Sequence, residues 1–294
     1  LTEHRSVISI VIPAYNEENA ITDTVKQASA VLDKAGLSPY EIIVVDDASS
    51  DKTADYARDA GAKVVSHVQN FGYGRSLKDG IKAASYDIIA ITDADGTYPI
   101  DRIPDLVTEH QKGFDMAVGT RTGKHYRESA FKAPLRKILK YLVEFAAGQK
   151  IPDINSGLRV FSRSTVLNYF PRLCNTFSFT TSLTLAYMLT GRSVYYTEIE
   201  YHKRVGATKV RLFKDALRTL HYIVQAILYY DPIKIFLILC ALTILMGIFM
   251  LGLGILLQIH SAFLFAVGSL LVAIVVFALG LLADLLTQIL RKSN

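Results

Sequence analysis

An α/β fold on a mostly parallel sheet, followed by an amphipathic helix and a hairpin of two membrane-crossing helices, is what this sequence predicts. Three observations carry that expectation. Short β-branched runs alternate with segments of helical spacing through the first half of the chain, the pattern of a doubly wound sheet. A basic, amphipathic stretch begins near residue 210. Beyond Asp231 the chain turns almost wholly apolar, with no charged residue in 235–259 or in 261–283.

The candidate strands are Val7–Ile12, Glu41–Asp46, Lys63–Ser66, Asp87–Thr92 and Met116–Gly119. A near-continuous run such as Ile42 to Val45 suits a strand covered on both faces. Between them, Glu18–Ala35, Thr53–Ala60, Gly74–Ala84 and Ile103–Gln111 carry helical spacing, and a longer helical stretch runs from about Phe131 to Ala147. Another helix is expected within Phe177–Met188. In Val210–Tyr229, Phe213, Leu217, Leu220, Val224 and Leu228 share one face while Arg211, Lys214, Arg218 and His221 line another. That pattern suits the headgroup interface, or else packing on the preceding domain with a solvated basic face.

Of the two apolar stretches, the first would be about 37 Å long as a helix at ~1.5 Å per residue, enough to span a bilayer core. The expected division is a domain over 1–209, a juxtamembrane helix over 210–230 and a hairpin over 231–294, with spans of about 233–259 and 261–288. A buried helical hairpin of a water-soluble core is the competing reading. Lys and Arg flank the hairpin on both sides, and its turn near His260 has neither, so the positive-inside rule puts the large domain in the cytoplasm. No signal peptide is expected, since Val7–Ile12 is too short for one. Cys174 and Cys240 fall in different parts of the chain, and no disulfide is expected. The net charge of +5 gathers beside the hairpin without interleaved aromatic platforms, which argues against nucleic-acid binding.

In open α/β sheets ligands sit at the carboxyl ends of the strands, so the residues just past each strand are the first candidates for a site. After the first strand come Pro13-Ala14-Tyr15-Asn16-Glu17-Glu18, the second ends in Asp46-Asp47, and after the fourth come Asp93-Ala94-Asp95-Gly96. Two carboxylates at i and i+2 repel unless a hard cation joins them, and Mg²⁺ or Mn²⁺ there would also grip a diphosphate. Alone, such a pair also serves turns and caps. Asp46 either accepts hydrogen bonds from a nucleoside or belongs to the capping of the next helix. Asp153 and Ser156, near Pro152 and Gly157, read equally as turn residues.

Taken together, Val11–Glu18, Val44–Asp51, Asp93–Pro99, Gly119-Thr120-Arg121, Asp153–Arg159 and His202–Lys209 resemble glycosyltransferase family 2, and within it the polyprenyl-phosphate branch. The motifs cover nearly all of residues 7–210, and that branch also carries a C-terminal hairpin. The resemblance implies a GT-A fold, which is Rossmann-like, and transfer of a hexose-type sugar from a nucleotide-sugar to a polyprenyl phosphate. It implies an integral membrane protein and allows a homotetramer, and the bacterial look of the chain favours UDP slightly over GDP.

By the same resemblance Pro13, Ala14, Tyr15, Glu17, Asp46, Asp93, Ala94 and Asp95 bind the nucleotide, and Asp93 and Asp95 hold Mg²⁺ or Mn²⁺. Asp153 would orient a sugar hydroxyl or act as a secondary base. A phosphate-monoester acceptor, with a second pKa of about 6, is already largely a dianion at neutral pH, so a strong base is not required. Cations must instead bring two anions together, and Arg121, Arg136, Arg204 and Lys209 are the candidates, with Ser156 beside them. Gly96 and Thr97 replace the Leu and the Gln or Ser that many relatives have after the second Asp, which leaves their role open. Two other functions compete: a family 2 enzyme that glycosylates a sugar hydroxyl, and a non-catalytic membrane scaffold. A Gln-x-x-Arg-Trp segment, usual in the polysaccharide-building enzymes, is absent because the chain has no Trp.

Overall fold

The computed structural model describes residues 7–123, 126, 133–204 and 212–292. These fall into two compact units, within residues 1–223 and 224–294. Arg136 lies in a described helix, but its side chain falls outside the described part, as does the whole of Lys209.

In the first unit β1 (Ile8–Ala14), α1 (Ile21–Lys34), β2 (Tyr40–Asp46), α2 (Thr53–Asp59), β3 (Lys63–Ser66), α3 (Tyr73–Ala83), β4 (Ile88–Ile91) and α4 (Ile103–Gln111) alternate as the sequence pattern requires. β5 (Met116–Thr122) and α5 (Ala133–Ala147) come next. Then come β6 (Arg159–Ser162), α6 (Arg163–Leu167), α7 (Phe179–Leu189) and β7 (Val194–Glu200), and α8 (Leu212–Tyr230) begins in the first unit and ends in the second. The sheet order is β3-β2-β1-β4-β6-β5-β7, and β6 runs antiparallel to both its neighbours.

Every residue of β1 is buried, as a central strand covered on both faces demands. α1 buries Ile21, Thr24, Val25, Ala28 and Leu32 at helical spacing. The apolar members of that stripe join Ile42, Val44, Ile103, Leu106 and Val160 in one core. At its edge Thr24 donates to the Ala94 carbonyl at 3.1 Å, tying α1 to the segment after β4.

α8 leaves Leu217, Val224 and Leu228 exposed along one stripe. In the second unit α9 (Ile233–Leu257) and α10 (His260–Lys292) are each long and apolar enough to cross a membrane. Their packing seam is made of small residues: Cys240, Gly247 and Gly254 recur every seventh position on α9 and are buried, with Ala262, Ser269 and Ala273 facing them on α10. Such seams let helix backbones approach closely in lipid. Elsewhere the pair is clothed in exposed Leu, Ile, Val and Phe, and only 11% of each span's most apolar window is buried. Core helices of a water-soluble protein would be mostly buried.

Candidate active site

The turns after β1 and β2 are knitted together by short polar side chains. Asn16 N–H donates to Ser49 Oγ (2.9 Å), Ser50 N–H to Asn16 Oδ1 (2.8 Å) and Glu17 N–H to Thr53 Oγ1 (2.8 Å). Asn16 (φ 51°) and Ala48 (φ 60°) adopt left-handed backbone there. For Ala that conformation costs roughly 1–3 kcal/mol and persists only when its surroundings fix it.

A cavity of about 370 Å³ opens beside these turns, within the range of small-molecule sites. It is lined by Pro13, Ala14, Tyr15, Glu17, Asp47, Asn70, Gly72, Tyr73, Ser76, Asp93, Ala94, Asp95, Phe177 and Arg204. Its walls therefore come from the ends of β1, β2 and β4, the loop after β3 with the first turn of α3, the loop before α7, and the segment after β7.

Asp93, half-buried, and Asp95, buried, are the acidic pair at its floor. Asp93 Oδ1 accepts the Tyr73 hydroxyl at 2.8 Å. Asp95 Oδ1 accepts the Thr97 N–H (3.1 Å) and Thr97 Oγ1–H (2.5 Å). Thr97, one of the two departures from the family pattern, thus orients the second carboxylate. Burial, then the charge of Asp95, push the Asp93 carboxyl up to about 7, against the lowering effects of Tyr73, Arg121 and Arg204. Gly157 closes over the pair: a Cβ there would stand 2.9 Å from Asp93 Oδ1 and 3.1 Å from the Tyr98 ring.

Arg204 reaches the site because the chain after β7 continues along the sheet end, with Tyr201 N–H donating to Thr122 O (3.1 Å) and His202 N–H to Thr97 O (2.9 Å). Its Nη2 donates to Glu17 Oε1 at 3.2 Å, and its Nε lies 3.3 Å from Asp95 Oδ2. The acidic pair fits a divalent cation, since two neighbouring carboxylates ionise together only beside positive charge, which Arg204 supplies in part while holding Asp95 Oδ2. Among the described residues no cluster of three or more His, Cys, Asp or Glu suits a metal, so a cation held by Asp93 and Asp95 would complete its shell from diphosphate oxygens and water.

The other expected residues are placed differently. Asp46 is buried, and its Oδ1 accepts the Ser49 N–H at 3.3 Å; it is Asp47 that lines the cavity. Asp47 also takes the N–H groups of Phe71 and Gly72, each at 2.8 Å, and contacts His67 Nδ1 at 2.7 Å. Arg121 is bound to Asp153 through its N–H (3.2 Å), Nε (2.7 Å) and Nη2 (2.9 Å). Burial opposes ionisation of Asp153, but the Arg121 charge and four hydrogen bonds, one from Asn155 N–H, outweigh it and hold the carboxyl below its usual range. Its oxygens engaged and its proton affinity low, Asp153 stands in this structure as the partner of Arg121. Ser156 is likewise engaged, its fully buried hydroxyl donating to Gly119 O at 2.5 Å.

Arg159 explains why this loop is firm. The guanidinium is fully buried and donates to Ser156 O (2.7 Å), Ile154 O (3.0 Å) and Thr184 Oγ1 (2.7 Å). Sequence reasoning named Asp47 beside Asp46 but gave the role to Asp46, and it passed over Asn70, Gly72, Tyr73, Ser76 and Phe177. A usable signal existed for Asn70 and Gly72, since they lie in the loop between β3 and α3 and the same strand-end rule applies.

Comparison with known proteins bears on this arrangement. An undecaprenyl-phosphate 4-deoxy-4-formamido-L-arabinose transferase from Yersinia enterocolitica is 32% identical over 186 residues, 58% of this chain and 56% of that protein. The protein of the same name from Shewanella sediminis is 33% identical over 165 residues, 54% of this chain and 49% of its own. The chain thus spans about half the length of these curated relatives. Among solved structures, glucosyl-3-phosphoglycerate synthase from Mycobacterium tuberculosis, in complex with Mn²⁺, UDP and glucosyl-3-phosphoglycerate, superposes with a TM-score of 0.60 at 21% identity. The match covers 76% of this chain and 80% of that one, and shows a shared GT-A-like fold. The model of glycosyl transferase family 2 matches residues 9–170, from β1 through the acidic pair to α6, and the chain belongs to that family.

Proposed function

We propose that the chain is an integral membrane glycosyltransferase that moves a hexose-type sugar from a nucleotide-sugar, UDP in preference to GDP, to a polyprenyl phosphate. The product would be a polyprenyl-phosphate sugar for glycan or glycolipid assembly. The catalytic domain, residues 1–209, faces the cytoplasm, residues 210–230 lie at the headgroups, and 231–294 anchor the protein. The observation that carries this reading is the Asp93–Asp95 pair beside Arg204, in a cavity at the carboxyl ends of β1, β2 and β4. The names of the undecaprenyl-phosphate relatives support the acceptor class, and the UDP and Mn²⁺ in the mycobacterial complex support the donor and the metal. The exposed apolar helices support the membrane.

The reaction is an in-line displacement. An oxygen of the acceptor phosphate attacks the anomeric carbon, the bond to the nucleoside diphosphate breaks, and the configuration inverts. A divalent cation, when bound, neutralises the departing diphosphate. Asp93 and Asp95 hold that charge in place. Arg204, already between Glu17 and Asp95, screens the approach of one anion to another. Arg121, locked to Asp153, contributes a fixed positive field rather than a mobile ligand. No side chain need remove a proton, since the acceptor oxygen is already ionised. Transfer to a sugar hydroxyl would need a base, and the commitment of Asp153 to Arg121 disfavours that alternative.

The test is transfer from a panel of radiolabelled UDP- and GDP-sugars to undecaprenyl and dolichyl phosphate in detergent, with Mn²⁺, Mg²⁺ or EDTA. One donor giving a metal-dependent, mild-acid-labile lipid product is expected. Absence of product in protein that still binds nucleotide would point to a hydroxyl acceptor. Loss of nucleotide binding as well would point to a scaffold.

A further inference from the structure

Each carboxylate of the acidic pair has one oxygen tied down by a protein hydroxyl. Thr97 holds Asp95 Oδ1, and Tyr73 holds Asp93 Oδ1 at 2.8 Å. Asp93 Oδ2 takes no hydrogen bond from any described residue, and Asp95 Oδ2 faces Arg204. We propose that Tyr73 is the positioning residue that fixes Asp93 for cation binding, occupying one oxygen so that the other is presented to the metal. This rests on the reading of Asp93 and Asp95 as the cation site.

The local structure leaves the phenol little freedom. On one side of Tyr73, the Phe71 and Gly72 N–H groups are both gripped by Asp47 at 2.8 Å. On the other, Gly74 lies against the backbone of residues 174–176, where a Cβ would come within 2.8 Å of Asn175 C and 2.9 Å of Thr176 N. Arg75 N–H donates to Asn175 O at 3.0 Å and fastens the same contact. The ring itself stacks on Phe177, with centroids 5.7 Å apart and planes 11° from parallel. A hydroxyl on so constrained a ring sets the rotation of the carboxylate it touches. Groups that hold metal ligands in this way commonly change metal affinity by about 10- to 100-fold when removed.

The experiment is a titration of the full chain in detergent with Mn²⁺ alone, read by loss of the free-ion electron paramagnetic resonance signal. Wild type is compared with Tyr73→Phe, Phe177→Leu and Asp95→Asn, with thermal melts and metal-free UDP affinity measured on each. Tyr73→Phe keeps the ring and its stacking; it is expected to weaken Mn²⁺ binding roughly tenfold or more with a near-native melt. Phe177→Leu loses the stack but keeps the hydroxyl, and is expected to weaken Mn²⁺ binding far less. Asp95→Asn is expected to abolish it. Unaltered Mn²⁺ affinity in Tyr73→Phe, with binding lost in Asp95→Asn, would overturn the role of Tyr73 and leave the metal site standing. Equal weakening in Tyr73→Phe and Phe177→Leu would make the effect one of packing and overturn it too. Full Mn²⁺ binding by Asp95→Asn would remove the metal site and the proposal together.

Discussion

Replacing Arg121 by Met should reverse the pH dependence of stability in acid. Arg121 gives Asp153 three of its four hydrogen bonds, and the two side chains are only 16% and 1% exposed. Without the guanidinium, Asp153 keeps only the backbone donors of residues 121 and 155. Stranding one member of a buried ion pair costs about 3–5 kcal/mol. For a domain of this size each kcal/mol lowers Tm by roughly 2–4 °C, so a fall of about 6–20 °C is expected at pH 7.

The same contact sets the sign with pH. In the wild type the Asp153 carboxyl is held low, so its contribution is present above the unfolded value of about 3.9 and is lost as pH falls through the lower folded value. In Arg121→Met the folded carboxyl is raised instead. The variant is then least stable at neutral pH and recovers as pH falls toward its folded pKa. Circular-dichroism melts between pH 7 and 5 would show Tm rising in the variant relative to wild type. The double variant Arg121→Met/Asp153→Leu should regain most of the lost stability, because a buried pair replaced by apolar groups is often near neutral. A loss under ~1 kcal/mol in the single variant, or parallel Tm–pH curves, would refute the idea that this pair holds the loop over the acidic floor.

Three further outcomes are expected. Gly157→Ala, which puts a methyl 2.9 Å from Asp93 Oδ1, should lower turnover roughly tenfold or more with a near-native melt, read by transfer assay and calorimetry. Mn²⁺ affinity should rise from about pH 6 to 8 and then level, because Asp93, pushed up to about 7, must lose its proton to bind; titration calorimetry in buffers of different ionisation enthalpy measures that proton release. Arg204→Gln should tighten Mn²⁺ binding without nucleotide, since the guanidinium 3.3 Å from Asp95 no longer competes, yet lower turnover at least roughly tenfold.

The parallel half of the sheet was legible because β1, β2 and β4 are dense in Ile and Val, and their neighbours carry helical spacing. β6 was not, because Arg159-Val-Phe-Ser offers two apolar residues and begins with a buried cation; its strand character comes from lying between β4 and β5. β7 was also unread, although Val194-Tyr-Tyr-Thr has strand composition, since on the sheet edge most of its residues are only half-buried. At the site, the strand-end rule led to Pro13 through Glu17 and to Asp93 through Asp95, all but Asn16 of which line the cavity. It could not decide between Asp46 and Asp47. Adjacent residues at a strand end point in opposite directions, and the left-handed turn at Ala48 that orients them is invisible in the residue type. The partner of Arg121 was equally hidden, because a pair separated by 32 positions meets only through the sheet.

The bond between Glu17 and Arg204 joins residues 187 positions apart, and this has a consequence for the order of events on the ribosome. Domains fold as they emerge, N-terminal parts first, at about 5–20 residues per second. The β1–β4 half can assemble early, but its pocket lacks its cation wall until Arg204 has been made. Arg204 precedes α9, which starts at Ile233, by 29 positions, roughly 1.5–6 s of elongation at that rate. The chain therefore gains the last described residue of its pocket shortly before α9 and α10 are made, so the two apolar helices follow a pocket whose parts are already present.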